Sequence, residues 1–138
     1  MPTGIILVDH GSRSADSNRL LLDVASRFER LFGARYPIVE PAHMELADPT
    51  IATAYAKCVW RGADELIVCP FFLGPGKHWQ GDIPRLVAEA SMAFPLTHYT
   101  VAAPLGIDDL ILKLLDKRIH EAAVNRRSDR GGVFHHGG

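Results

Sequence analysis

Ile5-Ile6-Leu7-Val8-Asp9-His10-Gly11-Ser12-Arg13 is the stretch that decides the fold. An unbroken aliphatic run does not alternate between a wet and a dry face, so it reads as a strand covered on both sides. It gives way at once to polar, glycine-containing chain, which puts Asp9 to Arg13 in a loop at the strand's carboxyl end. A doubly covered strand belongs in the middle of a parallel sheet flanked by helices.

The chain on either side fits that frame. Leu21, Val24, Phe28, Leu31 and Phe32 share one face of a helix that Gly33 stops. Residues 36–42 form a second, weaker strand carrying Pro37 and Pro41. Asp48 is expected to cap the next helix, with Pro49 in its first position. Ile51, Ala54, Tyr55, Cys58 and Val59 then repeat at helical spacing up to Gly62. Residues 65–72 make a third strand and residues 73–81 a loop holding Gly74, Gly76 and Gly81. Asp82 caps a helix with Ile83, Leu86, Val87, Ala90 and Phe94 inward. Residues 97–103 are the fourth strand, and Ile107, Leu110, Ile111, Leu114 and Leu115 stripe a last helix. Pro41, Pro70 and Pro104 fall late in their strands or just past them, where ladder donors are no longer needed. The βαβαβαβα order predicts an α/β fold: a four-stranded parallel sheet with helices on both faces. By analogy with flavodoxin-like sheets, its strand order is expected to be 2-1-3-4. One domain is expected over 1–125, with 126–138 a polar, glycine-rich flexible tail.

Composition narrows the function. The 138 residues are 47% hydrophobic and 22% charged, enough for a core without staples. Fifteen basic and sixteen acidic residues leave a net charge of −1, which gives no bulk attraction for nucleic acid. Only Cys58 and Cys69 are present and they form no CxxC pair, so a four-cysteine metal cluster within the chain is excluded. Few cysteines and no signal-peptide pattern predict a cytoplasmic protein, and no apolar run is long enough for a membrane span.

Ligands of open parallel sheets sit beyond the carboxyl ends of the strands. Asp9, His10, Ser12 and Arg13 follow the first strand, His43 and Glu45 the second, and Lys77, His78 and Trp79 the third. The order 2-1-3-4 makes His10 and His78 face one crevice, with Glu45 nearby. Two imidazoles and a carboxylate suit a first-row divalent metal or a proton-transfer site. Each residue taken alone equally fits a bland role. Asp9 is then a turn cap, His43 a donor to a loop carbonyl, Trp79 a loop anchor, and Cys58 and Cys69 core residues. Other motifs fail. Gly74-Pro75-Gly76-Lys77 lacks the earlier glycine (Phe71 stands there) and the following Ser or Thr of a phosphate loop. There is neither GxGxxG after the first strand nor GxSxG anywhere.

Three blocks, 7–13, 41–49 and 70–79 followed by Asp82-Ile83-Pro84, resemble the short sirohydrochlorin chelatases of the class II tetrapyrrole chelatases. The resemblance spans residues 4 to about 120, and its wording is closest to the sirohydrochlorin ferrochelatase branch of siroheme synthesis. It implies an enzyme that inserts Fe2+ into sirohydrochlorin, with Co2+ (cobalamin) and Ni2+ (coenzyme F430) as the alternatives. It implies that His10 and His78 bind the metal or take pyrrole protons, with Glu45 as the supporting acid and ligand. It also implies a homodimer, because longer chelatases hold two such halves. The macrocycle is ringed with carboxylates, for which Arg13, Lys77 and Arg85 are the candidate cations, joined by Ser12, His43 and Trp79 as substrate contacts. Phe71, Phe72 and Trp79 offer an apolar wall, and the glycine-rich third loop a way in. Plant-type relatives add a cysteine-rich segment for an iron–sulfur cluster. No cysteine follows Cys69, so no cluster and no cofactor beyond the substrate metal is expected. A metal or tetrapyrrole carrier without turnover is the competing class. A flavodoxin-like FMN binder is disfavoured, because the first loop is not Ser/Thr-rich.

Overall fold

The computed structural model describes residues 1–74, 76 and 79–128. They fall into two units, Met1–Pro104 and the chain from Leu105 on.

The first unit runs β1 (Thr3–Asp9), α1 (Ala15–Phe32), β2 (Ile38–His43), α2 (Ile51–Trp60), β3 (Glu65–Pro70), α3 (Trp79–Ser91) and β4 (His98–Val101). The four strands form one all-parallel sheet in the order β2-β1-β3-β4, as the sequence predicts. Alternation along β1 builds two cores. Ile5 and Leu7 pack with Val39 against Leu21 and Ala25 of α1. Ile6 and Val8 pack with Ile38, Ala42, Leu66 and Val68 against Ile51, Ala54, Tyr55 and Cys58 of α2 and Ile83 and Val87 of α3. The central strand is thus covered twice, and Pro41 lies in the edge strand β2, where its missing donor costs least.

Several boundaries differ from the expected ones. Leu31 and Phe32 are not inward: they are 74% and 49% exposed. An 18-residue helix is about 27 Å long, whereas the six residues of β2 span about 20 Å, so the last turn overhangs the sheet. The cap of α2 is Thr50, not Asp48; its side chain accepts from the Thr53 amide, while the Pro49 carbonyl is held at 2.7 Å by the His43 amide. Helix α3 begins at Trp79, three residues before the expected Asp82 cap, and takes in Gly81.

Close packing fixes α2 on β1. A Cβ at Gly4 would lie 2.9 Å from the Cys58 Cβ and 3.1 Å from the Ala63 Cβ, so no side chain fits there. Arg61, just past α2, ties this end together by bonding Glu29 of α1, Glu40 of β2 and the Val39 and Pro37 carbonyls.

Burial pushes the Cys58 thiol up to about 12 and raises the Cys69 thiol as well. Native protein at pH 8 should therefore react slowly with a thiol reagent, Cys58 more slowly than Cys69, and both should react at once in denaturant. Rapid labelling of native Cys58 would contradict the packing. The Cys58 contribution to stability is complete below about pH 9 and is lost as pH rises toward 12, because only the unfolded chain releases the proton there.

In the second unit, α4 (Asp109–Ser128) is capped by Asp108, whose carboxylate accepts from the Leu110 amide at 2.9 Å. The helix runs on through Arg126 and Arg127, past the position expected to begin a tail; residues 129–138 lie outside the described residues. Ile107 precedes the helix, and Leu110, Leu114 and Leu115 of the expected stripe are exposed. No helix among the described residues is long and apolar enough to cross a membrane.

Candidate active site

The loops after β1 and β2 continue the parallel ladder beyond the strands. Register pairs Asp9 with His43; the Met44 amide then donates to the Asp9 carbonyl at 2.9 Å and the Glu45 amide to the His10 carbonyl at 3.1 Å. His10 and Glu45 are thereby drawn together, with His10 Nε2 3.0 Å from Glu45 Oε1. The two side chains are 47% and 52% exposed, open to an incoming ligand. A separation of 3.0 Å is what two ligands at right angles subtend when each is about 2.1 Å from one ion. Without an ion the same approach is a hydrogen bond, so a proton and a metal compete for one position.

Only glycine permits this approach. Gly11 has φ of +90°, and a Cβ there would lie 1.9 Å from the Glu45 carbonyl oxygen. Leu46, directly after Glu45, is also left-handed at φ 70°. Left-handed backbone at a branched residue is strained, and such strain collects where a chain is bent to serve a site.

Beneath the pair, His43 is wholly buried and its Nδ1 lies 2.6 Å from the Asp9 carboxylate. This corrects two expectations. His43 does not present its ring at the surface to touch substrate, and it holds a carboxylate rather than a loop carbonyl. Its Nε2 is buried without a hydrogen-bond partner among the described residues. Asp9 is accordingly more than a turn cap. Ser12 is held through its backbone: its amide donates to Asn18 Oδ1 at 2.9 Å and its carbonyl accepts from Asn18 Nδ2 at 2.7 Å. Its hydroxyl accepts from the Ser14 amide at 3.0 Å, which turns the chain into the Ser14 cap of α1.

The profile of the family described as CbiX matches residues 4–122. The chain belongs to the CbiX family. This CbiX chain is 47% identical over 126 residues to the chloroplastic sirohydrochlorin ferrochelatase of Arabidopsis thaliana, an alignment covering 91% of this chain and 55% of that protein. It is 32% identical to the sirohydrochlorin cobaltochelatase of Sulfolobus acidocaldarius over 86% of this chain and 91% of that one. In three dimensions it is similar to SirB from Bacillus subtilis with Fe3+, with a TM-score of 0.80 and 27% identity over 88% of this chain and 47% of the other. The chain thus spans about half the length of the plant and Bacillus relatives and nearly all of the archaeal one.

Within this CbiX chain the remaining candidates divide. Arg13 is exposed in the same loop as His10. Arg85 is exposed on α3 but engaged with its own helix, 3.5 Å from Asp82 and 3.2 Å from Glu89. Lys77 and His78 lie outside the described residues, as does the side chain of Trp79. Among the described residues no three His, Cys, Asp or Glu side chains converge as a metal cage. The His10–Glu45 pair is an accessible two-donor site.

Proposed function

We propose that this chain catalyses insertion of a divalent metal ion, Fe2+ foremost, into sirohydrochlorin, with release of the two pyrrole protons. One observation carries the proposal: His10 Nε2 and Glu45 Oε1 stand 3.0 Å apart and accessible at the carboxyl edge of the sheet, in a member of the CbiX family. The ferrochelatase name of the plant relative supports Fe2+ as substrate; the archaeal relative supports Co2+ as the second reading.

His10 and Glu45 first receive the ion as two adjacent ligands, displacing the proton they share. Few ligands and partial exposure keep the ion exchangeable. As the macrocycle nitrogens take the ion, the imidazole is freed to accept a pyrrole proton, and Glu45 offsets the charge that His10 gains. One pyrrole proton restores the proton shared by His10 and Glu45, and the displaced proton and the second pyrrole proton pass to solvent, so each cycle takes one M2+ in and two H+ out, without an electron donor or acceptor. His78 is proposed as the facing metal ligand or base. Ser12, Arg13, Lys77, Trp79 and Arg85 are proposed to hold the carboxylate-rimmed ring, with Arg85 exchanging its partners within α3 for substrate carboxylates. His43 supports the site from below. A homodimer belongs to the same proposal, supported by relatives about twice the length of the matched region and by the exposed apolar stripe of α4. A reducing, cytoplasmic setting is proposed on the two free thiols.

Anaerobic absorbance assays with sirohydrochlorin and Fe2+, Co2+ or Ni2+, each corrected for its uncatalysed rate, test this. Catalysed insertion is expected, fastest with Fe2+. Tight macrocycle binding with no insertion above background would make the chain a carrier.

A further inference from the structure

The His10 loop is gripped from two sides. On one side the Glu45 amide holds the His10 carbonyl. On the other, the Asn18 carboxamide meets both backbone groups of Ser12 at 2.9 and 2.7 Å, a two-point fork from the start of α1. Between these two grips lies Gly11, whose φ of +90° is a conformation that nothing in its own side chain enforces. Asparagine is a weak helix former, and α1 already has its cap in Ser14, so Asn18 is not needed to start the helix. Its hydrogen bonds are spent instead on the loop. An amide is required there, because one atom must accept from the Ser12 N–H and the other must donate to the Ser12 C=O.

Resting on the function proposed above, we infer that Asn18 is a positioning residue for metal transfer: it fixes the Gly11–Ser12 turn so that His10 faces Glu45. Asn18 touches neither metal nor macrocycle in this role and acts through the backbone of the loop. Loss of the fork lets His10 wander from Glu45 by a fraction of its reach, and misplacement by about 1 Å costs up to 100-fold in rate.

Asn18→Ala should lower kcat about 10–100-fold. Asn18→Asp should behave like alanine. It keeps the acceptor for the Ser12 amide but turns a second oxygen onto the Ser12 carbonyl. The variants are assayed well below their thermal midpoints, so that the folded fraction is complete. NMR of the His10 ring in the same proteins supplies a readout independent of turnover, and its resonances should shift in both variants. An unchanged kcat, or an unmoved His10 ring, would overturn the inference. So would full rescue by aspartate, since the donor half of the fork would then be idle. If wild type inserts no metal, the proposed reaction fails, and the His10 resonances alone decide whether Asn18 positions the ring. If Asn18→Ala does not fold, the aspartate variant, which retains one of the two bonds, carries the test.

Discussion

Gly11→Ala is expected to lower kcat/KM for metal insertion about 100-fold or more, the cost of moving reacting groups by about an ångström. The new methyl group would stand 1.9 Å from the Glu45 carbonyl oxygen, well inside contact distance. No rotamer relieves a Cβ clash with backbone. Either the Glu45 segment retreats or the His10 loop lifts, and both break the 3.1 Å bond between the Glu45 amide and the His10 carbonyl. The left-handed φ adds about 1–2 kcal/mol of strain, so the thermal midpoint should fall too. Gly4→Ala separates the two effects. It overpacks the core under Cys58 at a cost of about 1–3 kcal/mol, yet lies at the opposite end of β1 from His10. It should lower the thermal midpoint and leave kcat/KM of the folded enzyme near wild type. Equal activity losses in the two variants would mean that Gly11 acts only through stability.

His10→Ala is expected to cost about 10²–10⁴-fold in kcat, the usual range for removing a positioned acid–base group. Alanine removes a metal ligand and a proton acceptor in one step. Glu45→Gln is a milder change: the amide is isosteric and can still meet His10 across 3.0 Å, but it brings no negative charge. Its main effect should be a rise in the KM for the metal, on the order of tenfold or more, with macrocycle affinity unchanged. Steady-state titrations of metal and macrocycle in turn separate these outcomes. A Glu45→Gln enzyme with wild-type metal KM would remove Glu45 from the ligand set.

The sheet was legible in the sequence because its signals are local. The aliphatic run 5–8 reads as a covered strand, and Pro70 marks the end of β3, whereas pairing in β2 runs past Pro41 to His43. Alternation of strands and helices pointed to the parallel sheet, while the order β2-β1-β3-β4 was legible only by analogy with the flavodoxin-like fold. What escaped was set by contacts far apart in the chain. The turn of α1 bearing Leu31 and Phe32 keeps its apolar spacing, but whether a sheet lies beneath it depends on strand length and tilt. Thr50 became the cap of α2 because the Pro49 carbonyl was claimed by the His43 amide, a bond spanning the whole turn.

At the site, residue types after each strand pointed to His10 and Glu45, whereas their approach required the register of β1 on β2. The same register pairs Asp9 with His43, which buried a histidine that looked available to substrate. Asn18 gave only a faint signal, an asparagine early in a helix that already had a serine to cap it. The Gly11 requirement was hidden for the same reason: the atom that excludes a side chain there belongs to residue 45.

In the proposed function the His10–Glu45 pair delivers the metal. Single-turnover insertion tests it most directly, with enzyme in excess over sirohydrochlorin under anaerobic conditions and Fe2+ added last. Wild type and His10→Ala are first matched for bound macrocycle, so that only the transfer step differs. Rapid metallation is expected in wild type and a rate at the uncatalysed background in His10→Ala. Equal rates in the two enzymes would contradict it.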